Sequence, residues 1–126
     1  MKKLKLILVS FFFILLNINN SFSFDDDFKI ISGKPAITDG DTVKINNKKI
    51  RFSGIDAPES FFFGKKQICI LNEVDIFCGK LSKEKLVEKI ANQSIDCKIK
   101  KNKDQFNRFL GECFLDNESL SVYMVK

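Results

Sequence analysis

Carboxylates and one guanidinium crowd a short window of this 126-residue chain: Asp39-Gly40-Asp41-Thr42-Val43, then Arg51, then Gly54-Ile55-Asp56-Ala57-Pro58-Glu59. Those groups suffice to hydrolyse a phosphodiester. The reaction needs a water aimed in line, neutralisation of charge growing on the equatorial phosphate oxygens, and a stabilised leaving oxygen. Two carboxylates can hold a hard divalent cation, an arginine can grip phosphate oxygens in bidentate fashion, and a further carboxylate can orient or deprotonate the water. The chain has no histidine. An acid-base catalyst must therefore be a carboxylate, lysine, tyrosine, thiol or metal-bound water, and Ser-His-Asp, Cys-His and His-ligated zinc sites are excluded. Taken singly, each residue has a plain structural role: Asp39-Gly40 as a hairpin turn, Arg51 as an exposed strand arginine, Asp56 and Glu59 as polar loop residues beside Pro58. Their joint fit to one reaction favours the chemistry.

The elements that must position these groups are mostly strands. Residues 28–37 read as a strand interrupted near residues 33–35, and Asp39-Gly40 is a turn signal. Val43-Lys44-Ile45 alternates, Asn46-Asn47 turns the chain, and Ile50-Arg51-Phe52 returns, so a meander of three short strands carries the window. Residues 61–78 look irregular; Phe61-Phe62-Phe63 reads as buried core or an adhesive loop ahead of a base-stacking surface. A helix follows, with Ser82 as its cap and Leu86 with Ile90, and Val87 with Ala91, as a buried stripe ending near Asn92. Ile95, Cys97 and Ile99 face one side of the next strand, and residues 109–115 form its antiparallel partner across a polar loop. Residues 118–126 look helical, with Leu120 and Met124 four apart, and the sequence stops after about two turns. The sum is five strands, one full helix and the beginning of another.

Composition places these elements in one domain after a leader. Lys2, Lys3 and Lys5 precede an apolar run at residues 6–16, and Ser21-Phe22-Ser23 resembles a cleavage site, so residues 1–23 are expected to be a signal peptide and residues 24–126 the working domain. Export would leave it periplasmic or extracellular, without stable membrane association. Losing three lysines and no acids takes the formal charge from +5 to +2. The remaining basic segment, Lys98, Lys100, Lys101, Lys103 and Arg108, is weak support for a polyanionic partner. Four cysteines in an exported small domain favour disulfides, and zinc is disfavoured by the absence of Cys-x-x-Cys and histidine. Of three connectivities we favour Cys69–Cys78, clipping a loop, and Cys97–Cys113, joining two strands; each would contribute about 2 to 4 kcal/mol.

The window resembles that of the staphylococcal nuclease (thermonuclease) family. The resemblance runs through Asp39-Gly40-Asp41-Thr42-Val43, Ile50-Arg51, residues 54–59, and Asp104 with Arg108 four residues later; Cys78-Gly79, Leu86 with Ile90, Cys97 and Gly111-Glu112-Cys113-Phe114 are similar to its cysteine-bearing exported members. It covers about residues 30–125. It implies a mainly β, α+β fold: a five-stranded OB barrel with packed helices, the second of them truncated here. It implies Ca²⁺ held by the Asp41 and Asp56 carboxylates and the Ala57 backbone carbonyl. Glu59 would direct or deprotonate the attacking water, and Arg51 and Arg108 would clamp the phosphate and stabilise the transition state. The implied activity is that of a monomeric, Ca²⁺-dependent nuclease hydrolysing DNA and RNA to 3′-phosphate ends. Phe106-Asn107 stand where the family has tyrosine-glycine, which is expected to change the turn that aims Arg108, and Ser121 replaces an asparagine. A non-catalytic OB module that binds nucleic acid or protein, or an inactive truncated remnant, are the alternatives.

Overall fold

Asn46 and Asn47 both take positive φ, 47° and 64°, as a two-residue hairpin turn matched to strand twist requires. That turn joins β3 (Thr42–Ile45) to β4 (Lys48–Phe52), with Val43 opposite Ile50 on the core face. A computed structural model describes residues 27–61 and 63–126 of the chain; the expected signal peptide lies outside them. Before this hairpin come β1 (Phe28–Gly33) and β2 (Ala36–Asp39), interrupted where the sequence indicates. The break has two causes. Pro35 has no N–H to donate, and a Cβ on Gly33, at φ 154°, would come within 2.9 Å of Ile45 Cγ2.

The later strands complete the main sheet. β7 (Ile95–Lys103) pairs antiparallel with β8 (Phe109–Leu115), which lies parallel to β4 and also carries β9 (Glu118–Ser119). The path is β1-β7-β8-β4-β3-β2. The architecture is thus the expected mainly β, OB-fold-like one, with a correction to the barrel. Hydrogen bonds do not close the sheet: its end strands, β1 and β2, are consecutive in sequence, joined by Lys34-Pro35, and do not pair with each other. More strands form than five because β1 and β2 count separately and a small hairpin, β5 (Cys69–Leu71) with β6 (Val74–Ile76), occupies the stretch expected to be irregular. Its turn uses Asn72 and Glu73 at positive φ without the glycine that would signal it.

Among the described residues two helices cover the sheet. α1 (Cys78–Ile90) lays Leu86 and Ile90 on a core of Val43, Ile45, Ile50, Phe52, Ile95, Cys97, Ile99 and Cys113, and α2 (Leu120–Met124) adds Leu120. Val87 and Ala91 are exposed, so the buried stripe is narrower than the pattern suggests. Nor does Ser82 cap α1. The helix starts a turn earlier, at a Cys78 bonded to Cys69, with Phe77 at the cap position. Cys97 and Cys113 face each other across β7 and β8, Cα atoms 4.0 Å apart, and form the second disulfide. Ser119 accepts a hydrogen bond from Val122 N–H at 3.1 Å to begin α2. Lys89 on α1 pairs with Glu118 of β9, tying the first helix to this terminal segment. Ser121 is buried, and its hydroxyl has no hydrogen-bond partner among the described residues.

α1 bears directly on the carboxylate window through two glycines. A Cβ on Gly79 would fall 1.9 Å from the Glu59 carbonyl oxygen, and one on Gly40 would fall 1.9 Å from Ser82 Oγ. Gly40 therefore serves close approach of the helix more than turn conformation, and Ser82 is the residue it admits. The start of α1 sits against the backbone of residues 59 and 60, where any longer side chain at position 79 would push Glu59 out of place.

Candidate active site

Asp41 is the buried centre of the window, with its side chain 1% exposed. It accepts hydrogen bonds from Thr42 Oγ1 at 2.7 Å, Ala57 N–H at 2.9 Å and Arg51 Nη1 at 2.7 Å. The Ala57 contact fixes the loop after β4 onto the β2–β3 turn, and so brings the two halves of the window together. Arg51 reaches further, pairing through Nη2 with Asp56, whose side chain is 86% exposed. Burial would lower the Arg51 pKa, but hydrogen bonding to Asp56 and the charges of both aspartates raise it. One guanidinium thus bridges two carboxylates, one buried and one at the surface.

Glu59 stands beside this bridge. Its N–H donates to Gln67 Oε1 at 2.7 Å, and its carbonyl lies against Gly79. Burial pushes its carboxyl pKa up, the charge and hydrogen bond of Asp39 and the charge of Asp41 push it further, and Arg51 only partly offsets them. Asp39 is itself tied down, accepting from the N–H of Ser60 at 2.9 Å and from the Ser60 hydroxyl. Burial would raise its pKa, yet those bonds hold it lowered. It is therefore more than the turn residue the sequence suggests: it fixes the residue after Glu59 and sets the charge that Glu59 feels. A bulge in β2 between Ile37 and Asp39 precedes it.

Arg108 arrives from the β7–β8 loop. Asp104 closes that loop, accepting from Phe106 N–H, Arg108 N–H and Arg108 Nε, each at 2.9 Å. Asn107 adopts the left-handed conformation (φ 61°) within this turn, a conformation asparagine enters more readily than most residues. The Phe106 ring packs 5.0 Å from the Arg108 guanidinium carbon. Burial pushes the Asp104 carboxyl up, but the hydrogen bonds from Arg108 and Phe106 outweigh it and hold it below the ordinary aspartate value. A lowered carboxylate adds stability above its ordinary pKa, and loses it as pH falls through the lowered one. Asp104→Asn should therefore lower turnover by releasing Arg108, and its denaturation midpoint, compared with the parent's across pH 2 to about 5, should lose less on acidification. Equal acid sensitivity would contradict this role.

Arg51, Asp56, Glu59 and Arg108 line one cleft of about 390 Å³, with Asp39, Thr42, Lys49 and Phe106 as further walls. A second hollow of about 690 Å³ meets it at Glu59 and is lined by Phe63, Lys65, Lys66 and Gln67. Phe61 and Phe63 are 64% and 88% exposed, so the phenylalanine run is not core at those two positions. The donor set suits a hard cation in kind, being carboxylate oxygens, but both Asp41 oxygens and Asp56 Oδ1 already accept protein hydrogen bonds that a cation would have to displace. It is short in number, since among the described residues no group of three or more acidic or cysteine side chains converges on one point. Ca²⁺ takes six to eight oxygens, so water and phosphate would have to supply most of them. Of the sequence-derived residues, Ala57 contacts Asp41 through its N–H.

The sheet is thus OB-fold-like, and one open cleft gathers two arginines with Asp39, Asp56 and Glu59. Residues 49–126 match the family described as Staphylococcal nuclease homologue, and the chain belongs to that family. It is also similar to the succinoglycan biosynthesis protein ExoI of Rhizobium meliloti (strain 1021), with 28% identity over 99 residues, 76% of this chain and 49% of that protein. The chain thus spans about half the length of this curated relative.

Proposed function

We propose that the domain is a Ca²⁺-dependent phosphodiesterase that hydrolyses DNA and RNA to leave 3′-phosphate ends, acting as an exported monomer. The observation that carries this reading is the single cleft that gathers Arg51, Asp56, Glu59 and Arg108, with Asp41 buried against Arg51. Asp41, Asp56 and the Ala57 carbonyl would hold the cation, which when bound supplies positive charge to the phosphate oxygens. The chain's own residues do the rest. Glu59, its carboxyl shifted upward toward neutral pH, orients a water and accepts its proton. Arg108, aimed by Asp104, and Arg51 grip the phosphate and stabilise the charge that grows on it. A non-catalytic module would have no use for this full set.

Export is supported by the basic-apolar-small pattern of residues 1–23 and by two disulfides, which persist in oxidising compartments. Among the described residues no helix is long and apolar enough to cross a membrane. End-group analysis of a digested oligonucleotide tests the bond assignment. Products that accept a 5′ label directly and carry 3′-phosphate support it; 3′-hydroxyl products overturn it.

A further inference from the structure

The alternation that buries Val43 and Ile50 places two other pairs on the outer face of the β3–β4 hairpin: Thr42 opposite Arg51, and Lys44 opposite Lys49. Like charges directly across an antiparallel pair repel each other and destabilise the sheet. Lys49 follows the Arg51 face at a two-residue step, about 6.7 Å along the strand, so cations recur away from the cleft at a spacing comparable to that of phosphates along an extended strand. Lys48 and, from the end of β7, Lys103 join them around a groove of about 410 Å³. Lys103 is held at its edge by donating to Asn107 Oδ1 at 2.8 Å. Lys49 and Phe106 wall both this groove and the candidate active cleft, so the two hollows adjoin. At their junction Phe106 is 65% exposed.

We propose that this groove is the track for a single nucleic-acid strand leaving the active cleft, its lysines meeting the phosphates next to the one that is cut and Phe106 offering its ring to a base. The inference rests on the nuclease reading of the cleft. A polyanion relieves the Lys44–Lys49 repulsion, and an exposed aromatic ring between basic walls suits an unpaired base more than a duplex.

Equilibrium binding of a fluorescent oligothymidylate to the full chain, in chelator so that no Ca²⁺-dependent cleavage intervenes and between about 50 and 200 mM salt, tests it. Lys44→Gln/Lys48→Gln should weaken binding severalfold and reduce the slope of log affinity against log salt by about 1.4, or about 0.7 per lysine. Lys80→Gln/Lys85→Gln removes equal charge from α1 and should keep the parental slope. Lys44→Gln should melt no lower than the parent, which separates lost binding from lost folding. A parental slope in the groove variant, an equal change in the α1 variant, or no salt-dependent binding by the parent overturns the track. Cleavage assays on the same proteins keep the two readings apart. Cleavage in Ca²⁺ with an unchanged groove slope rejects only the track, and a reduced slope in a chain that does not cleave supports the track and rejects the enzyme.

Discussion

Replacing Glu59 with glutamine should lower kcat on DNA by about 10² to 10⁴-fold, the usual contribution of a positioned acid-base group, while leaving the melting temperature the same or higher. The two effects have one origin. Burial and the nearby Asp39 and Asp41 charges raise the Glu59 pKa above the ordinary glutamate value, so its charged form is disfavoured in the folded chain. A carboxyl raised on folding contributes stability below its ordinary pKa and loses that contribution as pH rises through the raised value. At neutral pH the glutamate charge is therefore a cost that glutamine removes. The same shift puts the acidic limb of the parent's pH–rate profile above the ordinary glutamate range, where a base is better matched to working pH. Asp39→Asn, which takes away one of the charges responsible, should move that limb back down. Kinetics and thermal melting of the same samples check the pair. Activity and stability falling together in Glu59→Gln would mean that Glu59 is structural.

Arg51→Lys should cost about 10² to 10³-fold in kcat/KM, the scale of losing one preorganised charge-stabilising donor. Lysine keeps the charge but not the planar fork, and Arg51 uses both ends of that fork, Nη1 toward Asp41 and Nη2 toward Asp56. A single ammonium can serve one of these carboxylates, or a phosphate, as a point charge. Because Asp41 also accepts from Thr42 and Ala57, the lysine variant should stay folded. Arg51→Gly is a harsher test, since it leaves the buried Asp41 carboxylate without its cation and should destabilise the chain by about 3 to 5 kcal/mol, as broken buried pairs do. Turnover near the parental value in Arg51→Lys would remove Arg51 from the phosphate-binding set.

Alternation made much of this geometry legible. The Asn46-Asn47 turn, the residue 109–115 strand and the Cys97–Cys113 facing pair follow from period-two patterning and turn chemistry, which act locally. Gathering Asp41, Arg51, Asp56 and Glu59 also follows, because a hairpin returns the chain beside itself. What escaped was set by contacts distant in sequence. The early start of α1 depends on Cys78 being pinned to Cys69 and on Gly79 resting against Glu59. The role of Asp39 depends on Ser60, 21 residues on. The closure of the β7–β8 turn depends on the Asp104 carboxylate accepting from Phe106 and Arg108 and on the Asp104 carbonyl accepting from Asn107 N–H.

Hydrolysis of DNA by the purified chain, measured in Ca²⁺ and again after the cation is removed by a chelator, is the most direct test of the central claim. The cleft of Arg51, Asp56, Glu59 and Arg108, with Asp41 buried behind it, predicts cleavage that is lost on chelation and restored when Ca²⁺ is returned. Cleavage that persists without Ca²⁺, or a folded chain that binds DNA in Ca²⁺ and never cuts it, would contradict it.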